Sequence, residues 1–315
     1  MQATPTLIKS DSYILTTNYK LRTLMSLRAL LLVNRHARQG QERLLEAIDH
    51  LKKFNFQLIE ETTEHPKHLS QVIHKYKDQV DLVIVGGGDG TLNAVVDALV
   101  ETQLPLGILP LGTANDLART LGISNSLPEA CKTIAEGELR RIDLGWVNGK
   151  HFFNVASLGL SVKITRRLTK EFKRRWGVFA YAVTAIQVIW ESRPFSAEIR
   201  SKDRVFRVKT VQIAVGNGRY YGGGMAIVPD ASIDDQRLDL YSLEISHWWE
   251  IIPLLPAMRN GRHIHRQNVR ALNGQEFEVY TRKPRAINTD GEITTYTPAT
   301  FRVLPKAVAV LVPPV

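Results

Sequence analysis

"DLVIVGGGDGTLNAVVDALV", residues 81–100, decides how this chain folds. Its first half is a β-branched apolar run that ends on glycines. Its second half places Leu92, Val95, Val96 and Leu99 on one helical face. A strand passing into a helix through a glycine turn is the repeating unit of a parallel α/β sheet. The same alternation extends outward. "LRALLLVN" (27–34) reads as a buried strand, and "QERLLEAIDHLKKF" (41–54) as a helix with Leu44, Leu45, Ile48 and Leu51 at helical spacing. "LPLGILPL" (104–111) is another strand and "ANDLARTLGI" (114–123) another helix. The fold class is therefore α/β, with an N-terminal parallel sheet covered by helices. After about residue 145 the texture changes. "HFFNVASLGL", "RVFRVKTVQIAVGN", "RLDLYSLEI", "EFEVYTRK" and "AVAVLVPP" are rich in β-branched and aromatic residues. The division expected is a loose leader at 1–24, an α/β domain at 25–143 and a β-rich domain at 144–302. The segment 303–315 is a candidate to complete the first domain.

Composition narrows the function. The chain has 315 residues, 44% of them hydrophobic and 23% charged, enough for a sizeable core and too apolar for disorder. A formal net charge of +10 points to anionic partners: nucleotide, nucleic acid or an anionic lipid surface. The single cysteine, Cys131, excludes an internal disulfide and a multi-cysteine zinc site, and suits a reducing, cytoplasmic setting. The longest apolar stretch, "GVFAYAVTAIQVIW" (177–190), is shorter than the ~20 residues that span a bilayer. Residues 1–24 lack the apolar centre of a signal peptide.

Glycines 86, 87, 88 and 90 let backbone N–H groups approach a ligand, and a helix starting near Thr91 adds donors suited to phosphate. A second turn, "PLGTANDLA", echoes the first: each sets Gly-Thr and a carboxylate where a strand becomes a helix. Thr91 and Thr113 add hydroxyls. In an open α/β sheet both turns lie at the ligand-binding ends of strands. Neither the Walker A lysine nor the G-x-G-x-x-G spacing is present, so this is a different phosphate loop. An aspartate in such a loop repels phosphate unless Mg²⁺ stands between them. Asp89, Asp116 and Asp143 are candidates for that role; alternatively Asp89 and Asp116 only stabilise helix N-termini.

These two turns resemble the nucleotide-binding signatures of the diacylglycerol-kinase catalytic-domain family, and most closely its bacterial soluble lipid kinases. The similarity continues through "RRIDLG", "FFNVASLGL" (152–160), "VGNGRYYGGGMAIVPDASIDD" (215–235) and "INTDGE" (287–292), and covers about residues 27–312. The resemblance implies an active site in the cleft between an N-terminal α/β nucleotide-binding domain and a C-terminal β-sandwich, with ATP and Mg²⁺ as cofactors. It implies nucleotide contacts at Asn34, Arg38, Gly86, Gly87, Gly88, Asp89, Gly90, Thr91, Gly112, Thr113, Asn115 and Asp116. It sets Asp89, Asp116 and Asp143 at magnesium-associated positions, and Asp290 at the catalytic base with Glu292 beside it. Phosphoryl transfer needs positioning, charge neutralisation and a carboxylate for the hydroxyl proton. Read without the other motifs, "DGE" is an ordinary hairpin turn. Two departures stand out. "NRHARQG" (34–40) carries Arg35 where the family has Pro, which leaves open whether Arg35 or Arg38 meets phosphate. "IDDQRLDL" has Gln236 for Gly beside Asp234 and Asp235, which puts a structural magnesium site there in doubt.

"VKITRRLTKEFKRRW" (162–176) holds seven Lys/Arg and one Glu. Lys163, Arg166, Arg167, Lys170 and Arg174 recur at helical spacing, opposite Ile164, Leu168 and Phe172. Such a basic amphipathic helix suits an anionic membrane surface, or else packs by its apolar side with its charges in water. His263 and His265 in "RHIH" would suit a metal if two apart on a strand, but no Cys or carboxylate cluster supports that, and they read as surface or loop residues. Trp248 and Trp249 in "SHWWEIIPLLP" read as core or groove packing rather than lipid insertion. The leading expectation is a lipid kinase of phospholipid metabolism, cytoplasmic and peripherally membrane-associated, with a homodimer left open. Alternatives are a kinase of a soluble metabolite such as NAD, or a non-catalytic binder of lipid or nucleic acid; no RNA- or DNA-binding signature supports nucleic acid.

Overall fold

The computed structural model describes residues 26–34, 40–63, 67–167, 190–202 and 204–314. The chain forms two compact units, divided after Ile142, and the first unit takes back the segment from Lys306 onward.

The first unit is a parallel sheet with helical connections. In chain order it contains β1 (Arg28–Asn34), α1 (Gly40–Lys53), β2 (Gln57–Thr63), α2 (Lys67–Tyr76), β3 (Leu82–Gly87), α3 (Asp89–Asn93), α4 (Val96–Thr102), β4 (Leu106–Pro110), α5 (Asp116–Thr120) and α6 (Leu127–Glu136). The strands lie in the order β2-β1-β3-β4, all parallel, with Leu30 opposite Val83 and Val85 opposite Ile108. β3 and β4 are buried from end to end apart from Gly87, which explains their unbroken apolar sequences. Cys131 of α6 lies 3.8 Å from the Ala47 carbonyl of α1, and Ser70 of α2 donates to the Ala94 carbonyl (2.8 Å). The stretch expected as one helix over 91–100 is two. α3 begins earlier, at Asp89, and the chain breaks at Ala94 and Val95 before α4.

The second unit is a β-sandwich. After β5 (Glu138–Val147), which enters it, come β6 (Lys150–Phe152), β7 (Val155–Gly159), α7 (Leu160–Arg167), β8 (Phe195–Ser201), β9 (Arg204–Thr210) and β10 (Gln212–Gly216). A short hairpin of β11 (Tyr220–Tyr221) and β12 (Met225–Ala226) follows, then β13 (Leu238–Leu243), a 3₁₀ turn at Trp248–Ile251 and α8 (Leu254–Arg259). A second 3₁₀ turn at Arg262–His265 precedes β14 (Val269–Gly274), β15 (Glu276–Thr281), β16 (Ala286–Thr289), β17 (Glu292–Tyr296) and β18 (Ala299–Val312). One antiparallel sheet has the order β14-β13-β10-β7-β16-β17. The facing layer includes β9, β8, β15 and the start of β18. Phe152, Leu158, Ile213, Leu240, Phe277, Ile287 and Phe301 fill the space between, all at 0% exposure. Each such side chain contributes about 1.5–3 kcal/mol by leaving water. The other face of the six-stranded sheet, through Ala214, Tyr241 and Leu243, is covered by Ile251, Leu254 and Met258.

Candidate active site

In the first unit the ends of β3 and β4 are locked together. The Gly87 carbonyl accepts the Leu111 N–H (3.1 Å), and the Gly88 carbonyl accepts those of Thr91 (2.9 Å) and Leu92 (3.1 Å), which starts α3. A Cβ on Gly112 would overlap the Gly88 backbone and lie 2.7 Å from Asn115 Oδ1. A Cβ on Gly87 would lie 2.6 Å from Thr91 Oγ1. Gly112 is thus required by the two turns packing on each other, and Gly87 by Thr91 of its own turn. Gly90 is different: a Cβ there meets nothing within 4 Å.

Asp89 joins the two turns. Its Oδ2 accepts the Asp116 N–H (3.1 Å) and its Oδ1 the Leu117 N–H (2.9 Å), so it caps α5 from across the gap. The helix-stabilising role weighed for Asp89 is therefore present, on its neighbour's helix rather than its own. Asn115 takes the left-handed conformation (φ 51°, ψ 45°) that enters α5. Its Oδ1 accepts the Gly112 N–H (2.9 Å), and its Nδ2 donates to the Gly112 carbonyl (3.0 Å) and to Asn125 Oδ1 (3.1 Å). Asp116 and Thr91 are buried, while Thr113 is exposed. Asn34 closes β1, and Arg35 and Arg38 lie outside the described residues.

In the second unit Asp290 sits at the β16–β17 turn with φ 47°, followed by Gly291 at φ 97°. Its carboxylate does not project outward. It accepts three backbone N–H groups: Phe153 (2.7 Å), Asn154 (3.0 Å) and Val155 (3.0 Å). Three such donors stabilise the anionic form. Asn288 holds the turn: its Oδ1 accepts the Gly291 N–H (2.8 Å) and its Nδ2 donates to Thr165 Oγ1 of α7 (2.9 Å). Glu292 is exposed at the start of β17.

Two glycine- and aspartate-bearing turns, one on a parallel sheet and one on a sandwich, are matched by two family models. The diacylglycerol kinase catalytic domain matches residues 28–147, and the YegS C-terminal NAD kinase beta sandwich-like domain matches 154–312. The chain belongs to the diacylglycerol kinase family. It is 30% identical over 270 residues to a Bacillus subtilis (strain 168) diacylglycerol kinase, covering 84% of this chain and 89% of that one. It is 32% identical over 294 residues to a probable lipid kinase YegS of Salmonella arizonae, covering 91% and 96%. A crystal structure of a candidate diacylglycerol kinase from Bacillus anthracis str. Sterne superposes with a TM-score of 0.80 at 26% identity, over 90% of this chain and 95% of that one.

In this diacylglycerol kinase family member the loop with Gln236 keeps a glycine-like turn. Gln236 is left-handed (φ 60°), and its N–H is held by Asp143 Oδ2 at 2.6 Å. Asp143, 1% exposed, therefore secures this turn. The next residue, Arg237, supplies a cation of its own. Its guanidinium lies 3.2 Å from Asp230, 3.2 Å from Asp235 and 3.3 Å from Asp239. Asp234 accepts from Ser232 Oγ. Burial pushes Asp239 up to about 6 against the pull of Arg237, and burial raises Asp235 too. Among the described residues no three His, Cys, Asp or Glu side chains gather as a metal site. Asp235 is already paired with Arg237, and Asp234 is held by Ser232 Oγ, so neither carboxylate as it stands fits a resident magnesium. The sequence marked Gln236 as the departure and passed over Arg237 beside it.

Two further expectations change, and a third is met as far as the described residues reach. His263 lies in a connecting 3₁₀ turn, not on a strand, and is not at the surface: it is at 0% exposure, edge-on to Tyr241 (4.7 Å), and burial pushes its imidazole down to about 4. Trp248 and Trp249 are not core: they are 38% and 52% exposed. Helix α7 buries Leu160 and Val162 and exposes Lys163, Arg166 and Arg167; Lys170 and Arg174 lie outside the described residues. Among the described residues no helix is long and apolar enough to cross a membrane.

Proposed function

We propose that the chain is an ATP- and Mg²⁺-dependent kinase that phosphorylates a lipid hydroxyl, with diacylglycerol as the first substrate to test. The observation that supports this most is that two family domains occur in order, each with its Gly-Asp turn formed. In the first unit, backbone N–H groups around Gly88 and Gly90 would meet the ATP phosphates, with open space over Gly90. Asp89 fits a magnesium ion: it is half-buried beside Gly90, and such an ion needs only one or two carboxylates besides phosphate. Asp143 does not fit, being buried on the Gln236 turn, while the buried Asp116 lies beside Asp89, which accepts its N–H. When bound, magnesium would neutralise phosphate charge in a reaction whose loose transition state asks mainly for positioning. That requirement suits Asp290. A carboxylate fixed by three N–H groups is well placed and weakly basic, so it would orient the lipid hydroxyl and take its proton late. Glu292 would orient Asp290 or the substrate. The setting would be the membrane surface during phospholipid synthesis, with Lys163, Arg166 and Arg167 facing anionic headgroups.

The direct test is incubation with radiolabelled ATP and Mg²⁺ against a panel of lipid alcohols and NAD, products resolved by thin-layer chromatography. Label in a lipid phosphate is the expected outcome. Label in NADP would replace this reading with a soluble-metabolite kinase, and no labelled product would leave only binding.

A further inference from the structure

Five large apolar side chains stand in solvent on one part of the second unit: Trp190 (71% exposed), Trp248 (38%), Trp249 (52%), Ile252 (55%) and Leu255 (45%). The tryptophans form one patch, and Ile252 and Leu255 follow Trp249 at successive turns of the same segment. The Trp190 and Trp248 rings are 6.3 Å apart, Trp248 and Trp249 5.9 Å, and His247 stacks on Trp249 at 4.4 Å. The core does not need them. Ile251, Leu254 and Met258 of the same short segment already point inward and are buried. Trp248 and Ile251 share a shallow cavity with Leu160 of α7 and with Ser192 and Pro194, so the aromatic patch adjoins the basic helix.

Cations border this patch. Lys163 Nζ reaches Ser192 Oγ (3.5 Å), and Arg167 pairs with Glu191, next to Trp190. Lys163 is held below the usual lysine value by burial first and then by Arg285, with Glu191 opposing. The other nearby acid, Glu250, is turned to the backbone N–H groups of Ser246 and His247.

We propose that Trp190, Trp248, Trp249, Ile252 and Leu255 form a bilayer-docking face that enters the headgroup–acyl boundary of an anionic membrane, with Lys163, Arg166 and Arg167 alongside. Clustered tryptophans favour that boundary, where an apolar ring body and a polar N–H are both accommodated. Apolar insertion plus headgroup attraction are the two signals that stable peripheral binding needs. A protein partner explains the apolar rings but gives no reason for the adjoining cations; an anionic bilayer explains both. The face is also fixed to the candidate catalytic turn, because Thr165 of α7 holds Asn288, which holds Gly291. The proposal deepens the lipid-kinase reading and rests on it for its purpose, though not for its test.

The experiment is co-sedimentation of the full chain with phosphatidylcholine vesicles, with and without phosphatidylglycerol. Trp249→Ala combined with Leu255→Ala should weaken partitioning onto anionic vesicles by about tenfold or more (about 1.4 kcal/mol), with unchanged circular dichroism. Arg166→Gln with Arg167→Gln should remove only the part that salt also removes. Phospholipids brominated on the acyl chain should quench the tryptophan fluorescence of the unaltered protein. If the first variant fails to fold, Trp190→Gln with Ile252→Gln replaces it. Undiminished vesicle binding by the folded variant, or absence of quenching, overturns the proposal. So does a fall in oligomeric mass without vesicles that leaves vesicle binding intact, since the face then belongs to a second copy. Labelling of a water-soluble short-chain diacylglycerol by the unaltered protein tests the kinase reading separately. Its failure beside intact docking sinks that reading alone, and its success beside undiminished variant binding sinks docking alone.

Discussion

Asp290 has an architectural role that can be separated by experiment from the chemical role proposed for it. Its two oxygens accept the N–H groups of residues 153–155, and an asparagine has only one acceptor oxygen to offer. Asp290→Asn therefore leaves at least one of these donors without its acceptor, at about 1–3 kcal/mol of stability. If Asp290 also handles the hydroxyl proton, kcat should fall by ~10²-fold or more with ATP affinity nearly unchanged. Urea unfolding and steady-state kinetics on the same variant separate the roles; lost stability with kcat retained at saturation would leave Asp290 as a clamp only. His263 offers a test by pH. Its imidazole is pushed from the ordinary 6.5 to about 4, and among the described residues neither ring nitrogen has a hydrogen-bond partner. The fold thus holds the neutral form, while the unfolded chain takes up a proton below its ordinary value. This contribution is fully present above pH 6.5 and is lost as pH falls toward 4, by roughly 2 kcal/mol between pH 7 and 5. His263→Phe keeps the ring against Tyr241 and removes the titration. It should match the original near pH 7 and exceed it at pH 5; equal losses in both proteins on urea unfolding would clear His263 of the effect.

At the scale of elements, the two turns at the ends of β3 and β4 separate packing from ligand binding. Gly112→Ala drives a Cβ into the Gly88 backbone, which no rotamer change relieves, so about 1–3 kcal/mol of stability should be lost. Gly90→Ala meets open space and should shift stability by no more than ~0.5 kcal/mol. ATP titration of Gly90→Ala then reads the nucleotide itself: unchanged affinity would remove this stretch of backbone from the phosphate site. The alternation of strands and helices was legible because apolar periodicity reports burial directly, as in the run 82–86. The break between α3 and α4 was not, because Leu92, Val95, Val96 and Leu99 keep helical spacing across it. Trp248 and Trp249 were misread for a related reason: whether an aromatic faces core or water depends on what already fills the core, here Ile251 and Leu254. The Thr165–Asn288 bond joins residues 123 apart in sequence and leaves no local signal.

At the scale of the whole molecule, the path of the chain matters as much as its elements. The first unit is discontinuous, built from residues up to Ile142 and from Lys306 onward. The returning segment is structural: Val308, Ala309, Val310, Leu311 and Val312 are buried, and Val310 lies opposite Leu106 in parallel register with β4. Without it β4 becomes an exposed apolar edge, a recognised aggregation hazard. The two chain breaks lie close together, since Arg141 Nη1 donates to the Lys306 carbonyl at 3.0 Å. A short flexible Gly/Ser linker can therefore replace residues 143–305 without strain. We expect residues 26–142 alone to aggregate or remain unfolded. The linked form, 26–142 joined to 306–314, should give a single cooperative thermal transition. If the nucleotide site belongs to the paired Gly-Thr turns, that form should also bind Mg·ATP, while having no kinase activity because Asp290 is absent. Calorimetric titration with Mg·ATP decides the point. A linked form that folds but gives no heat of binding would mean that the second unit supplies essential nucleotide contacts. A chain ending at 142 that folds as well as the linked form would mean that β18 is dispensable to the first sheet.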